Sequence, residues 1–226
     1  MSPTLLLRNL LAGLLLISIP IQNAATANPG KPKISKTEAL GWEQLPQTAL
    51  QIGLTGYWQL LNKKLLNSNA LLTLIDLSKP SYEKRLFVID PVQKKIILHT
   101  WVAHGSQSGN SIAMRVSNRP SSNQSSAGFF ITGETYQGKN GYSLRLQGLQ
   151  KDVNDKALAR GIVIHGARYV DPESAQRTGW LGRSQGCPAV SVAVHRRLIE
   201  LIKEKNCVFI YHPSYPVTAP LPSSLP

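Results

Sequence analysis

The sequence GIVIHGARYVDPESAQRTGWLGRSQGCPAV, residues 161–190, decides the predicted fold and site of this 226-residue chain. It begins with Ile162-Val163-Ile164, an apolar run typical of a short buried strand, and that strand ends on His165-Gly166. A polar loop then leads to Gly186-Cys187, so a thiol and an imidazole stand 22 positions apart, each beside a glycine. Nucleophilic catalysis by cysteine needs this pair, because the thiolate attacks and a neighbouring histidine can take its proton.

The glycine before the cysteine predicts a second feature of the site. Without a Cβ at Gly186, the backbone N–H groups of Gly186 and Cys187 can turn towards a developing oxyanion. Zinc is the competing use of cysteine and histidine, but a zinc site needs three or four ligands, typically at close spacing such as C-x2-C or H-x3-H. Neither pattern occurs in this chain, so we expect no metal and no cofactor.

The segments around this stretch predict a mostly β fold. Short runs rich in β-branched and aromatic residues, separated by Gly, Ser and Asn clusters, are typical of strands. They lie at 71–77, 85–90, 95–103, 128–132, 142–149, 161–165 and 207–211. This pattern favours a curved antiparallel sheet or a barrel-like sandwich, and the composition does not choose between the two.

Two helices are predicted beside the strands. Apolar residues recur at helical spacing between residues 46 and 67, which indicates one covering helix whose middle holds Gly53 and Gly56. Only one helix is expected after the cysteine, with Ser191 as its N-cap and Lys205 near its end.

With these residues in view, the chain resembles a known family. His-Gly, a loop and then Ser-x-Gly-Cys resembles the L,D-transpeptidase catalytic domain of peptidoglycan enzymes, the YkuD-like family. The resemblance is strongest to the divergent branch in which proline follows the cysteine, as in Gly186-Cys187-Pro188-Ala189. Four further segments look like that branch in the same order: LFVID at 86–90, VAHG at 102–105, SSAGFF at 125–130 and GETYQG at 133–138. The likeness covers roughly residues 71–213.

The resemblance implies a function and a set of catalytic residues. It implies a curved β-sheet sandwich or barrel with a few flanking helices, acting on peptidoglycan stem peptides without a cofactor. Cys187 is the expected nucleophile and His165 the expected base, with the carbonyl of Gly166 orienting the imidazole. Gly186 completes the expected catalytic set.

The sequence departs from the wider family on both sides of the cysteine. Most members have histidine in place of Gln185, and a basic or amide residue shortly after the cysteine, where this chain has Pro188-Ala189-Val190. The substrate carboxylates are therefore expected to meet Arg183 or Arg168, because a guanidinium matches a carboxylate with two parallel hydrogen bonds. Two more residues complete the expected substrate-binding set: Ser184 of the motif, and His104, which ends a strand beside a glycine.

The ends of the chain carry separate predictions. Residues 1–27 are typical of a secretory signal peptide, with Arg8, a 12-residue apolar run and a small-residue cleavage site; a retained membrane anchor is the alternative. We then expect a flexible spacer at 28–44, the covering helix at 45–68, the catalytic domain at 69–213 and a Pro-rich disordered tail at 214–226. The predicted location is the periplasm or cell-wall space, with no embedding in the membrane after signal cleavage.

Charge and cysteine count bound the partners and leave alternatives open. The formal charge of +13 suits an anionic wall rather than nucleic acid, which an exported protein rarely meets, or it only keeps the protein soluble. The same acyl-enzyme passed to water would give a carboxypeptidase or peptidase. A third alternative is a non-catalytic wall-binding module in which Cys187 and Cys207 form a disulfide.

Overall fold

The computed structural model describes residues 41–224, so the predicted signal peptide and most of the predicted spacer lie outside the described residues. A short 3-10 helix spans Trp42–Gln44. The helices are α1 Gln47–Asn62, α2 Pro172–Thr178 and α3 Val192–Ile202. The strands are β1 Leu72–Asp76, β2 Leu86–Asp90, β3 Lys95–Thr100, β4 Gly128–Gly138, β5 Gly141–Gly148, β6 Val163–Gly166, β7 Ala189–Val190 and β8 Cys207–Tyr211. Within residues 41–224, no helix combines the length and the apolar character that crossing a membrane requires.

All eight strands join one sheet in the order β3-β2-β1-β8-β4-β5-β6-β7. Beyond the end of β3, Ala103 bridges to Ala189 in β7, so the two edges of the sheet meet and the sheet is curved. The predicted mostly β fold is confirmed. The predicted antiparallel pairing is wrong for two pairs, because β1–β8 and β6–β7 are parallel. A parallel pair needs a crossover of a dozen or more residues, and residues 167–188 provide it for β6 and β7.

The sheet separates two apolar clusters. In β8, Cys207 and Phe209 belong to the cluster covered by α1, whereas Val208 and Ile210 belong to the cluster covered by α3. This alternation follows from the strand geometry, which points successive side chains to opposite faces. The strand at the centre of the sheet is therefore buried on both sides.

Helix α1 covers the core as predicted, but it ends earlier. Its two glycines lie against the sheet, and a Cβ at Gly56 would come within 2.1 Å of the Phe129 ring, so the helix packs closely there. The helix ends at Asn62 and not at residue 67. Lys64 adopts φ 57°, a left-handed conformation that stops an α-helix.

The C-terminal tail was predicted to be disordered from its proline content, and the structure shows contacts instead. Tyr215 is buried, with its ring edge-on to Phe209 at a centroid distance of 5.2 Å. Its hydroxyl donates a hydrogen bond to Oε1 of Gln150 and accepts one from Nε2 of the same side chain. One aromatic side chain thus anchors the segment, which a count of prolines does not reveal.

Candidate active site

Strands β6 and β7 bring the two predicted catalytic groups together. They pair in parallel, with His165 opposite Ala189, and Cys187 lies two residues before Ala189. Cys187 lies in a bend just before β7, so the pairing places the backbone of the two predicted catalytic residues on or next to neighbouring strands. The sequence places the two groups at the ends of one loop. The pairing of β7 with β6 brings the end of that loop back beside the strand from which the loop begins.

His165 has the tautomer and charge of a base. Its Nδ1–H donates to the carbonyl oxygen of Gly166 at 3.0 Å, which is the hydrogen bond that the family resemblance implies. This leaves Nε2 as the atom that can accept a proton. Burial lowers the pKa of His165, the bond to Gly166 opposes that shift, and the nearby His195 adds to it. The imidazole is therefore neutral at neutral pH.

Gly166 is required by close packing. A Cβ at this position would lie 2.7 Å from Cγ of His195, whose ring covers the backbone beside the base. The Nδ1–H of His195 donates to the carbonyl of Val192 in the same helix. Helix α3 thus lies close against the backbone at Gly166.

The Cys187 thiol is half-buried and hydrogen-bonded to the backbone. Its Sγ–H donates to the carbonyl oxygen of Gly161 at 3.6 Å. Burial raises the pKa of Cys187, while the Val163 N–H and the charges of Arg160 and Lys139 oppose that rise. Among the hydrogen bonds of residues 41–224, none joins Cys187 to His165, so proton transfer to His165 requires the sulfur to turn from Gly161.

Ser184 holds the turn that carries the nucleophile. Its Oγ–H donates to the Cys187 carbonyl at 2.6 Å, and the same oxygen accepts the Gly186 N–H at 3.0 Å. The expectation that Ser184 contacts substrate is wrong, because this hydroxyl is buried and spent within the turn. The Gly186 N–H, expected to face an oxyanion, instead donates to Ser184 Oγ in this structure.

Gly186 is nevertheless the residue that this turn needs. Its φ of +120° lies in a region that L-residues rarely adopt. A Cβ would also lie 2.8 Å from the carbonyl oxygen of Gln124. The glycine therefore allows the turn to approach the segment before β4.

The structure contradicts the expected contact between His104 and substrate. Its ring is 1% exposed, with Nδ1 accepting from Arg85 Nη2 at 2.7 Å and Nε2–H donating to the Gly109 carbonyl at 3.2 Å. Burial lowers the pKa of His104 to about 4, and the charge of Arg85 contributes. The neutral ring joins a buried arginine to the loop after β3. A histidine at the end of a strand has the same sequence pattern whether it is buried against an arginine or contacts a substrate.

The two arginines proposed from the sequence lie in different settings. Arg183 is exposed, and its Nη1 donates to the Gly109 carbonyl at 3.1 Å and to Asn110 Oδ1 at 2.7 Å. It borders an open cavity of about 680 Å³ with Arg115 and Met114. Arg168 is exposed on the loop after β6. The cations that lower the pKa of Cys187, against the effect of burial, are Arg160 and Lys139.

Both cysteines are free. Cys207 is fully buried in β8, and three strands separate β8 from β7 in the sheet. A disulfide needs Cα atoms within about 7 Å, so this arrangement does not support the disulfide-locked module. Among residues 41–224, no group of three or more His, Cys, Asp or Glu side chains is placed to hold a metal ion.

Comparison with known proteins gives a family match and distant structural neighbours. The family model described as the L,D-transpeptidase catalytic domain matches residues 42–211. No protein in the curated set matches significantly.

Three solved structures illustrate the structural likeness. An L,D-transpeptidase from Mycobacterium smegmatis is 12% identical, with a TM-score of 0.40 over 63% of this chain and 59% of that one. The helical cell shape determining protein Pgp2 from Campylobacter jejuni is 16% identical, with a TM-score of 0.43 over 66% and 49%. An L,D-transpeptidase from Stackebrandtia nassauensis is 16% identical, with a TM-score of 0.40 over 68% and 60%. The match spans less than two thirds of each of these relatives.

Proposed function

The chain belongs to the L,D-transpeptidase catalytic domain family, and from this premise we propose that it is an exported cysteine transpeptidase of peptidoglycan. The observation that carries the proposal is the neutral His165, oriented by Gly166 and lying beside the turn that holds Cys187. A base that is neutral at working pH and has one free ring nitrogen can accept the thiol proton.

The reaction follows from these groups. Cys187 Sγ loses its proton to His165 Nε2 and attacks the carbonyl at the L-centre of the third stem residue, a diaminopimelate or its equivalent. The amide bond to the terminal D-alanine breaks, His165 returns the proton to the departing amine, and a thioester remains on Cys187. An acceptor amine then attacks the thioester carbonyl, forms the new amide and releases the thiol. One amide replaces another, so no ATP, metal or cofactor is required.

We assign binding of the donor's carboxylates to the cavity beside Arg183. Arg183 and Arg115 both border it, and guanidinium groups hold carboxylates more strongly than neutral donors do. Arg168, exposed after β6, is the second candidate for the same role. The residues after the cysteine are excluded from it, because Ala189 and Val190 are buried in β7.

The proposed location is the periplasm or cell-wall space. The support is the signal-like sequence at 1–27 together with a net charge of +13 suited to an anionic wall. Secretion of the full chain in a bacterial host, followed by N-terminal sequencing of the mature protein, tests the proposal. A protein that stays in the cytoplasm with residues 1–27 still attached would contradict the proposed location.

The activity is tested with a disaccharide-tetrapeptide and mass spectrometry of the products. Transpeptidation gives a cross-linked dimer and free D-alanine. A tripeptide alone means that water is the acceptor, and no product at all contradicts both forms of the proposal. Cys187→Ser and His165→Ala should each lose activity, by about 10²–10⁴-fold for the base. Cys207→Ala is the matched thiol control and should retain it.

A carbapenem provides an independent probe of the same nucleophile. A thiolate that attacks the stem peptide should also open a β-lactam ring and remain acylated. The intact mass should rise by one drug molecule in the wild-type protein and not in Cys187→Ala. An adduct that persists in Cys187→Ala would place the nucleophile elsewhere.

A further inference from the structure

Arg160 is a basic residue beside the site that sequence analysis did not single out. Nothing in one sequence separates it from the other members of a set of 25 lysines and arginines. In the structure it is half-buried, and its guanidinium donates to four oxygens of one segment, residues 117–126. These are the Ser117 carbonyl, Ser126 Oγ at 2.6 Å, Ser122 Oγ at 3.1 Å and the Gln124 carbonyl at 2.7 Å.

The same guanidinium lies against the turn that carries the nucleophile. An ideal Cβ on Gly186 would be 3.4 Å from Arg160 Nη2, and 2.8 Å from the Gln124 carbonyl that Arg160 binds. Arg160 therefore joins the segment before β4 to the backbone next to Cys187. Within residues 41–224, no salt bridge joins Arg160 to a carboxylate, and its four hydrogen-bond acceptors are neutral oxygens.

The charged and titratable groups around Cys187 come from several elements. Arg160 precedes β6, Lys139 lies at the β4–β5 turn, and His165 is on β6. Tyr169, on the loop after β6, has a pKa raised to about 12 by burial and by the Cys187 charge. The negative charge of Cys187 in turn favours the charged form of Arg160, against the effect of burial. Arg160 also lies near the turn, with its Nη2 3.4 Å from the position that a Cβ on Gly186 would take.

We infer that Arg160 is a positioning residue for the nucleophile: it fixes residues 117–126 against the Gly186–Cys187 turn, and its charge stabilises the Cys187 thiolate. The inference rests on the proposed function, because it presumes that the thiolate is the reacting form.

Alkylation of Cys187 by iodoacetamide, measured across pH, tests this without any peptidoglycan substrate. The rate is followed on the Cys187 peptide by mass spectrometry, so buried Cys207 does not interfere. Arg160→Gln should slow alkylation at pH 7 by about three- to tenfold and leave the high-pH plateau unchanged, because one pKa unit is a factor of ten in thiolate. Arg160→Lys keeps the charge and should stay close to wild type. Lys139→Gln, which removes an exposed cation, is the matched control and should have the smaller effect.

An unchanged pH profile in Arg160→Gln would overturn the inference, as would an Arg160→Lys profile equal to that of Arg160→Gln. If Arg160→Gln fails to fold, the inference is tested by measuring alkylation of the wild-type protein at different ionic strengths. Raising ionic strength from about 0.01 M to about 1 M shortens the screening length from about 30 Å to about 3 Å and should raise the apparent thiol pKa. Absence of any salt effect would then contradict the electrostatic role. If the wild type makes no cross-linked product while these profiles hold, the proposed function fails and the assignment of Arg160 stands.

Discussion

The buried pair of Arg85 and His104 predicts a specific loss of stability in acid. Arg85 is fully buried, donates to the carbonyls of Lys79 and Val102, and donates to His104 Nδ1. Protonating His104 would place a second positive charge against that guanidinium. Burial of the ring, and after it the charge of Arg85, lowers the pKa of His104 from 6.5 to about 4, so the folded protein favours the neutral ring.

The sign and size follow from proton linkage. Between pH 6.5 and 4 the unfolded chain binds a proton at His104 and the folded protein does not, so stability falls as pH falls. With these two pKa values, the loss between pH 7.5 and pH 4.5 is about 2–3 kcal/mol for this one group. Full stability from the pair is present above pH 6.5.

Urea unfolding at a series of pH values measures the effect, with His104→Gln as the reference. Glutamine can accept from Arg85 and donate to the Gly109 carbonyl, but it does not titrate. The wild-type curve should fall more steeply with acid than the variant curve, by about 2–3 kcal/mol at pH 4.5. Taking the difference removes the contributions of other groups, including His165 and His212. Parallel curves across this range would refute the argument that burial and the charge of Arg85 keep the ring neutral.

Three substitutions test other contacts. Ser184→Ala removes the partner of the Gly186 N–H and of the Cys187 carbonyl, and should lower both turnover and the free energy of unfolding, the latter by about 1–3 kcal/mol. Ser184→Thr keeps the hydroxyl and should recover most of the stability and the turnover. Equal losses in the two variants would argue against the hydrogen bonds. Gly186→Ala adds a Cβ at positive φ against a carbonyl, so we expect the free energy of unfolding to fall by about 1–3 kcal/mol and alkylation of Cys187 to slow. Wild-type stability and a wild-type alkylation rate would contradict the tight turn. Tyr215→Ala should lower stability by about 3–5 kcal/mol in thermal or urea unfolding if the tail is anchored as described, whereas a disordered tail predicts no change.

Much of the fold could be predicted from local patterns. The strand 207–211 has the bounds that its apolar, aromatic sequence indicated. The bounds of β1 and β5 differ from prediction by one residue at each end, and β2 begins one residue later than predicted. Parallel pairing was missed because strand direction depends on how the crossover runs, which local propensity does not encode. Helix α2 lacked an apolar stripe, but its start was readable: Asp171 caps it through the Glu173 N–H, and proline follows at the first position.

The candidate site also has features that the sequence predicts and features that it does not. The hydrogen bond from His165 to the Gly166 carbonyl is the one that the family resemblance implies, whereas the catalytic pairing of His165 with Cys187 stays a prediction. The settings of Ser184 and His104 did not, because a short polar side chain beside a glycine can serve either the backbone or a substrate. Arg160 was missed because its four acceptors come from a segment 34 to 43 residues away in the sequence.

The central claim is that Cys187 forms a thioester with the donor stem. The most direct measurement is intact-mass analysis of the protein mixed with tetrapeptide donor and quenched in acid, followed by mapping of the modified peptide. The account predicts an adduct equal to the donor minus D-alanine, located on Cys187, absent in Cys187→Ser and discharged when an amine acceptor is added. Product formation with no such adduct on Cys187, or an adduct that maps to another side chain, would contradict it.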